Sequence, residues 1–161
     1  MAHFAEIDSN GIVLRVLVAC NQDIANNGGE QSEQAAENFG KIAGYSSNGV
    51  KWVQTSYNNN FRKQFAGIGY YYDSIKNKFI KQQQHPSWIL NENDDWQAPV
   101  AFPTIRFTNK IIGGEENNPQ NPIEYQRYRI RWDESIIKWI GNDENNDLVS
   151  WNPLTLSWEK Q

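Results

Sequence analysis

The chain has 161 residues, a formal net charge of −4, a single cysteine and an aromatic share of 13%. The negative charge argues against broad electrostatic attraction to nucleic acid or to an anionic membrane surface. One cysteine excludes an intrachain disulfide and a thiolate metal cluster, and no apolar run approaches the ~20 residues that span a bilayer. The first residues lack the basic and then apolar stretches of a signal peptide, so we expect no export by that route.

A hairpin followed by a helix is predicted for the start of the chain. Ser9-Asn10-Gly11 separates two runs of β-forming residues, and Asn-Gly between such runs is a strong signal for a tight hairpin. The second run, residues 12–19, is apolar on both faces, which predicts a central strand covered on both sides. Residues 31–42 carry apolar side chains at helical spacing before Gly44, and they form the one helix that we predict.

Aromatic residues recur in pairs that lie seven or eight positions apart across a polar, turn-prone gap. The pairs are Tyr72 and Phe79, Trp88 and Trp96, Trp132 and Trp139, and Trp151 and Trp158. Asp or Asn directly follows the first aromatic in three of the four pairs, and such a side chain accepts hydrogen bonds from the backbone two residues on. We therefore predict short hairpins, each closed by facing aromatics that contribute roughly 0.2–1 kcal/mol. Isolated hairpins are marginal in water, so these must pack on each other or on a partner.

These patterns predict an α+β fold that is mainly β, with an N-terminal sheet and one helix followed by several short aromatic-closed hairpins. A change in composition around three prolines, Pro86, Pro99 and Pro103, marks the division of the chain. We predict an α+β domain at residues 1–97 and a hairpin tail at residues 98–161. Within the tail, residues 109–122 are rich in Gly, Asn, Glu and Pro and are predicted to form a long exposed loop.

Few residues point to catalysis or metal binding. His3 and His85 are the only histidines, and no Gly-x-Ser-x-Gly, His-Glu-x-x-His or Walker motif is present. The acidic pairs Asp94-Asp95 and Asp133-Glu134 fall in predicted hairpin loops, where Asp serves turn geometry. Residues 143–147 lack the spacing of an EF-hand, so a solvated loop is predicted there, with bound Ca²⁺ as the alternative. We expect no enzymatic activity and no cofactor.

An arginine stripe and three isoleucines are candidates for contacts with a partner. Along residues 127–132 arginines alternate with Tyr128, Ile130 and Trp132, so the two sets face opposite sides of a strand. In an acidic chain, this stripe suits carboxylates of a partner surface better than phosphates. The candidate partner-binding residues are Ile111, Ile112, Ile123, Arg127, Arg129 and Arg131.

Several stretches of the sequence resemble those of a known protein family. They are Ala-His-Phe-Ala-Glu-Ile-Asp at 2–8, Gln-Thr-Ser-Tyr-Asn-Asn-Asn-Phe-Arg-Lys at 54–63, residues 66–73, Pro-Ser-Trp-Ile-Leu at 86–90 and Trp-Gln-Ala-Pro-Val at 96–100. With these stretches the chain resembles small proteins encoded by marine tailed bacteriophages, notably those of cyanobacteria. The resemblance covers residues 2–103 and is specific at 54–73, while residues 104–127 look like an insertion. It implies a component of a phage particle and carries over no catalytic residue.

The expected function is therefore that of a non-enzymatic virion structural protein. It would dock through its β surfaces on the capsid, as a decoration or cement protein, or on the tail and its appendages. Its partners would be other virion proteins, with self-association left open, and neither nucleic acid nor membrane is expected. The alternative is a carbohydrate-binding module of a receptor-binding appendage, in which exposed tryptophans stack on sugar rings.

Overall fold

The computed structural model describes residues 1–161 and is mainly β with two helices, which confirms the predicted α+β class. The chain forms two compact units, the first comprising Met1–Gln83 and Glu92–Asp95 and the second Gln84–Asn91 and Trp96–Gln161. The predicted first domain comprises residues 1–97, but Gln84–Asn91 within that range belong to the second unit. The reason is that Trp88 packs with Trp132 and Trp139 of the second unit, at ring-centroid distances of 6.4 and 6.1 Å. None of the helices combines the length and the apolar character that crossing a membrane requires.

A three-stranded antiparallel sheet organises the first unit. Its strands are β1 (Ala2–Asp8), β2 (Val13–Ala19) and β3 (Gly49–Thr55). The predicted hairpin joins β1 to β2: Asp8 Oδ1 accepts hydrogen bonds of 2.8 Å from the N–H groups of Asn10 and Ile12, and Gly11 has a φ of 83°. The prediction that β2 is the central strand is wrong, because the strand order is β2-β1-β3 and β2 lies at an edge.

A β-bulge explains why simple alternation fails along β2. Glu6 pairs with Arg15 and Ile7 pairs with Val13, so Leu14 is an extra residue in β2. The bulge places Val13 on the opposite face from Leu17 and Ala19, although alternation puts all three together. Each face of the sheet still packs on an apolar cluster. One cluster contains Ala2, Phe4, Ala19, Ile24, Ala35, Ala36 and Trp52, and the other Ala5, Ile7, Val13, Val53, Ala66, Tyr72 and Phe79.

Two helices lie between β2 and β3. They are α1 (Asn21–Ala25), which we did not predict, and α2 (Glu33–Ala43), which corresponds to the predicted helix at 31–42. The helix α2 begins after Ser32, whose Oγ accepts a 3.2 Å hydrogen bond from the Ala35 N–H. Phe39 stacks on Phe4 of β1 at 4.7 Å between ring centroids. The apolar side of α2 therefore covers one face of the sheet.

One fully buried carboxylate, that of Glu6, joins β1 to the segment that enters β3. It accepts hydrogen bonds from the N–H and the hydroxyl of Ser46 and from the Arg15 guanidinium. Burial alone would raise the pKa of Glu6, but the hydrogen bonds from Ser46 and Arg15 outweigh burial and lower it. Because a buried charge is costly unless it is paired, these three donors are required by the fold.

The other face of the sheet is covered by residues 61–80. This segment ends in a hairpin of β4 (Tyr71–Asp73) and β5 (Lys78–Ile80). The Ala66 N–H donates a 2.8 Å hydrogen bond to Thr55 Oγ1 of β3, and the Val13 N–H donates one of 2.8 Å to the Tyr70 carbonyl. The covering segment is thus fixed by polar contacts with the sheet as well as by apolar burial.

Residues 92–95 also belong to the first unit, where Asp94 is buried. Its carboxylate accepts hydrogen bonds from the ammonium groups of Lys76 and Lys78, the second at 2.9 Å. The bond from Lys76, and next the bond from Lys78, lower the pKa of Asp94 to about 2. The beginning of β5 and the loop before it are held to residues 92–95 in this way.

The second unit contains β strands only. They are β6 (Ile89–Leu90), β7 (Trp96–Gln97), β8 (Phe107–Gly113), β9 (Glu124–Arg127), β10 (Arg131–Asp133), β11 (Lys138–Asn142), β12 (Leu148–Asn152) and β13 (Ser157–Lys160). The last four form an antiparallel meander in chain order, whereas β6–β7 and β8–β9 are separate two-stranded sheets. The predicted exposed loop at 109–122 is wrong for its first five residues, which belong to β8. The β-branched Ile111 and Ile112 favour an extended strand there despite the polar neighbours.

Three of the four predicted aromatic pairs face each other across paired strands. Their ring centroids lie 5.0 Å apart for Tyr72 and Phe79, 5.1 Å for Trp132 and Trp139, and 5.4 Å for Trp151 and Trp158. The pair Trp88 and Trp96 is wrong, because Trp96 lies opposite Leu90 and Trp88 precedes the ladder. In the second unit Trp132, Trp139 and Trp151 are buried in one cluster, against which Trp88 and Trp158 pack.

The three correct pairs share one loop design over eight residues. Asp73, Asp133 and Asn152 each accept a 2.9 Å hydrogen bond from the N–H group two residues on. Four residues after each of these comes a residue with positive φ. These residues are Asn77 (53°), Ile137 (54°) and Leu156 (52°). Asn tolerates this conformation, whereas a β-branched residue is strained in it.

We predict that Ile137→Asn stabilises the protein, because the left-handed conformation costs a non-glycine residue about 1–2 kcal/mol and Asn relieves part of that cost. The free energy of unfolding from urea denaturation should rise by about 1 kcal/mol. Ile136→Asn is the matched control, since Ile136 is also exposed and has no positive φ. An equal gain in both variants would show that the stabilisation comes from replacing an exposed apolar side chain with a polar one and not from the backbone conformation.

The ion pairs of Asp94 predict a pH dependence of stability. Because the pKa of Asp94 is lowered to about 2 in the folded chain, its stabilising effect is present above the pKa of an unfolded aspartate and is lost as the pH falls toward 2. The Asp94→Asn variant should be less stable than the wild type at neutral pH, and the difference should shrink between about pH 4 and pH 2. Urea denaturation across this range measures it, with Glu116→Gln as a control at an exposed acid. A difference that does not vary with pH contradicts the assignment.

Candidate functional site

The β8–β9 ribbon, comprising the two strands and the connecting loop at 114–123, is largely exposed to solvent. Its ladder pairs Phe107 with Arg127, Ile111 with Tyr125 and Gly113 with Glu124, with two irregularities between them. In β8 only Thr108 is buried, and β9 contains no buried residue. A two-stranded ribbon with both faces in solvent is marginal by itself. Contact with another surface would therefore stabilise it.

The loop of the ribbon is ordered by its own backbone. The Glu115 N–H donates to the Asn121 carbonyl at 2.9 Å, and the Asn121 N–H donates to the Asn118 carbonyl at 3.1 Å. Gly114 has a φ of 85° and lies so close to Pro122 that a Cβ there would be 2.1 Å from the Pro122 carbonyl oxygen. Only glycine fits this position, so the loop geometry depends on it.

Exposed apolar side chains cluster on the ribbon. Ile111 and Ile112 are 56% and 59% exposed. A concavity of about 570 Å³ is lined by Phe107, Ile112, Ile123, Glu124, Tyr125 and Arg127. Three of the six predicted partner-binding residues, Ile112, Ile123 and Arg127, thus line one depression.

The arginines of the predicted stripe occupy different environments. The Arg127 guanidinium lies 5.1 Å from the centre of the Phe107 ring, which is a cation–π contact. Arg129 is exposed between β9 and β10, and Arg131 donates a 3.1 Å hydrogen bond to Asn142 Oδ1. The alternation itself is confirmed, because all three arginines are exposed whereas Trp132 is buried and Tyr128 stacks on Trp158.

The sequence interpretation missed the aromatic residues of this surface. Phe107 and Tyr125 are exposed on the ribbon, and Phe102 has a second cation–π contact, with Arg106 at 5.5 Å. Adjacent aromatic and basic residues, such as Arg106-Phe107 and Tyr125-Gln126-Arg127, were a usable signal. Arginine and aromatic side chains are the residue types that contribute most to binding at protein interfaces.

The histidines and acidic groups have contacts that fit structural roles. His85 Nδ1 lies 3.9 Å from Glu134 Oε2, and the Ser87 hydroxyl donates a 2.8 Å hydrogen bond to the same oxygen. The serine hydroxyl is thus directed at a carboxylate and not at an imidazole, which is the wrong geometry for an activated nucleophile. Burial of Glu134 would raise its pKa, but hydrogen bonds from Trp132 and Ser87 lower it overall.

The acidic loop at 143–147 and the pair Asp94-Asp95 are engaged in local contacts. Asp143 Oδ1 accepts hydrogen bonds of 2.9 Å from the N–H groups of Asn145 and Asp147, and Asp147 pairs with Lys160 at 2.9 Å. Asp95 pairs with Lys63 at 2.6 Å. No three or more side chains of His, Cys, Asp and Glu are grouped so that they could hold a metal ion.

Comparisons of the chain with protein-family models, with curated proteins and with solved structures give no match. The functional interpretation therefore rests on the ribbon, on the contacts of its exposed side chains, and on the sequence resemblance described above.

Gly114 provides a test of the ribbon geometry. Gly114→Ala should disrupt the loop, because the new Cβ would clash with the Pro122 carbonyl in addition to the cost of positive φ. Amide hydrogen exchange in β8 and β9 should accelerate about tenfold or more, whereas the meander keeps its protection. Gly29→Ala is the matched control, since Gly29 has the same φ of 85° and no atom within 4 Å of a built Cβ. Unchanged exchange in β8 and β9 of the Gly114 variant would contradict this geometry.

Proposed function

We propose that this chain is a non-enzymatic structural protein of a bacteriophage virion and that it docks on a neighbouring virion protein through the β8–β9 ribbon. The observation that carries the proposal is the ribbon itself, an ordered two-stranded element with exposed apolar side chains on a chain of 161 residues. The resemblance to phage proteins supports the particle as the location. The capsid surface and the tail with its appendages are both compatible docking sites.

Physical arguments favour the ribbon as the contact surface. Burying an exposed isoleucine or phenylalanine contributes about 1.5–3 kcal/mol, and the ribbon offers Phe107, Ile111 and Ile112. Docking also removes solvent from a two-stranded sheet that is marginal alone. Contact with a partner would therefore stabilise the ribbon.

The charges on and beside the ribbon favour a protein partner. Arg106, Arg127 and Arg129 are exposed, but Glu115, Glu116 and Glu124 lie on the same ribbon. This mixture opposes a polyanion such as DNA, which would repel the glutamates, and suits a surface that presents both carboxylates and apolar groups. We propose no nucleic acid and no membrane among the partners.

The tryptophans do not favour the alternative in which hairpin aromatics bind sugar. Trp132, Trp139 and Trp151 are buried in the cluster of the second unit, so their faces are not accessible to a ligand. They close hairpins and form a core, which is a structural use of aromatic residues.

Incorporation into particles tests the proposal. The double variant Ile111→Ser, Ile112→Ser, supplied during infection in place of the wild-type chain, should be present in purified virions at about one tenth of the wild-type amount or less. The measurement is quantitative mass spectrometry relative to the major capsid protein. The control is Leu154→Ser, which changes an aliphatic side chain that is 92% exposed outside the ribbon.

The outcomes separate the two parts of the proposal. Undiminished incorporation of the double variant would remove the ribbon from the docking surface. Absence of the wild-type chain from purified particles would overturn the virion assignment itself.

A further inference from the structure

A cleft of about 400 Å³ lies in the first unit, at the end of the sheet where β1 begins and β3 ends. Residues of β1, α1 and β3 line the cleft. The segment that follows β3 contributes Ser56, Tyr57, Asn58, Asn60 and Phe61. The volume of the cleft is in the range of small-molecule sites, which is about 300–1,000 Å³. None of the contacts proposed for the β8–β9 ribbon involves this cleft.

One wall of the cleft is an accessible aromatic ring. Tyr57 is 70% exposed, and its ring stacks on the His3 imidazole with centroids 5.7 Å apart and planes 23° apart. Phe65 meets the Tyr57 ring edge-on at 5.6 Å. The two neighbouring rings thus support the orientation of Tyr57 while most of its surface remains open to a ligand.

Four side-chain amides also line the cleft, those of Asn21, Gln54, Asn58 and Asn60. Gln54 is only 3% exposed, and its side-chain oxygen accepts a hydrogen bond from the Gln31 N–H. The amides of Asn21, Asn58 and Asn60 are exposed and form no side-chain hydrogen bond. These three exposed amides are free to donate hydrogen bonds to a ligand and to accept hydrogen bonds from it.

The charges of the cleft limit the ligand further. No lysine or arginine lines it, and Glu30 is its only acidic side chain. Burial, and next the positive charge of the N-terminal ammonium, lower the pKa of His3. A phosphorylated or carboxylated ligand would meet the Glu30 carboxylate, and it would find no guanidinium or lysine ammonium, the groups that form the strongest bonds to such anions.

We infer that this cleft binds a neutral saccharide, with the sugar ring stacked on Tyr57 and its hydroxyl groups bonded to the amides of Gln54, Asn58 and Asn60. The inference follows from chemistry: a pyranose has an apolar C–H face that packs on an aromatic ring, and each hydroxyl both donates and accepts hydrogen bonds. An amide side chain offers both functions as well. The inference does not rest on docking through the ribbon.

Saturation-transfer NMR of the full chain with glucose, galactose, mannose and N-acetylglucosamine tests the inference, with adenosine as a comparison ligand. At least one sugar should give a saturable signal, and Tyr57→Ala should weaken its binding about tenfold or more. Tyr45→Ala is the matched control, because Tyr45 is an exposed tyrosine of the same unit that does not line the cleft. It should bind within about twofold of the wild type.

Asn58→Ala supplies a second variant that does not depend on ring packing. Asn58 is exposed and forms no hydrogen bond within the chain, so its removal should leave the melting curve unchanged and weaken sugar binding about threefold or more. Binding of none of the four sugars overturns the inference. So does sugar binding that neither Tyr57→Ala nor Asn58→Ala weakens, and so does a signal from adenosine alone, which would indicate a nucleoside site.

Discussion

The cross-strand aromatic pair at the base of a short loop is the interaction on which three hairpins depend, one in the first unit and two in the second. A pair of facing rings contributes only about 0.5–1.5 kcal/mol beyond its burial, yet each pair also brings large apolar area into a core. In the first unit Tyr72 and Phe79 cover the sheet, and in the second the Trp132–Trp139 and Trp151–Trp158 pairs join in a shared cluster. The β8–β9 ribbon has no such pair, since Tyr125 lies opposite Ile111. Its apolar side chains consequently remain exposed.

The chain therefore uses its aromatic residues in two different ways. Four of the seven tryptophans close hairpins, and three of these four, Trp132, Trp139 and Trp151, are buried in the core of the second unit. Tyrosine and phenylalanine provide the accessible rings, on the ribbon at Phe107 and Tyr125 and in the cleft at Tyr57. Tyrosine suits such positions because it combines an apolar ring with a polar group that tolerates water. The two proposed binding surfaces thus lie where aromatic residues are not needed for folding.

Local signals predicted a large part of the fold. The Asn10-Gly11 turn, the helix after Ser32 and three aromatic pairs are encoded within about ten residues each, where propensity and side-chain-to-backbone bonds decide the structure. The central position of β1 could not be predicted in this way, because it depends on long-range pairing with β3 and on a bulge that turns the Val13 side chain to the opposite face of the sheet. The cleft also could not be predicted from local sequence patterns, because Asn21, Gln54 and Tyr57 come close together only after the sheet has formed. On the ribbon, the exposed isoleucines were predicted, but the contact of Arg127 with Phe107 arises from strand pairing.

The shared eight-residue hairpin determines where the sequence of the meander can vary. In an antiparallel meander alternate turns lie at the same end, so the loops at 134–137 and 153–156 emerge side by side. In both loops the geometry is set by the Asx residue, by the residue of positive φ and by the flanking tryptophans, while the residues between them face solvent. Substitutions at Ser135, Ile136, Leu154 and Thr155 would leave the core intact. Natural variation, or a peptide grafted by design, can therefore accumulate at this end of the molecule while the scaffold below stays constant.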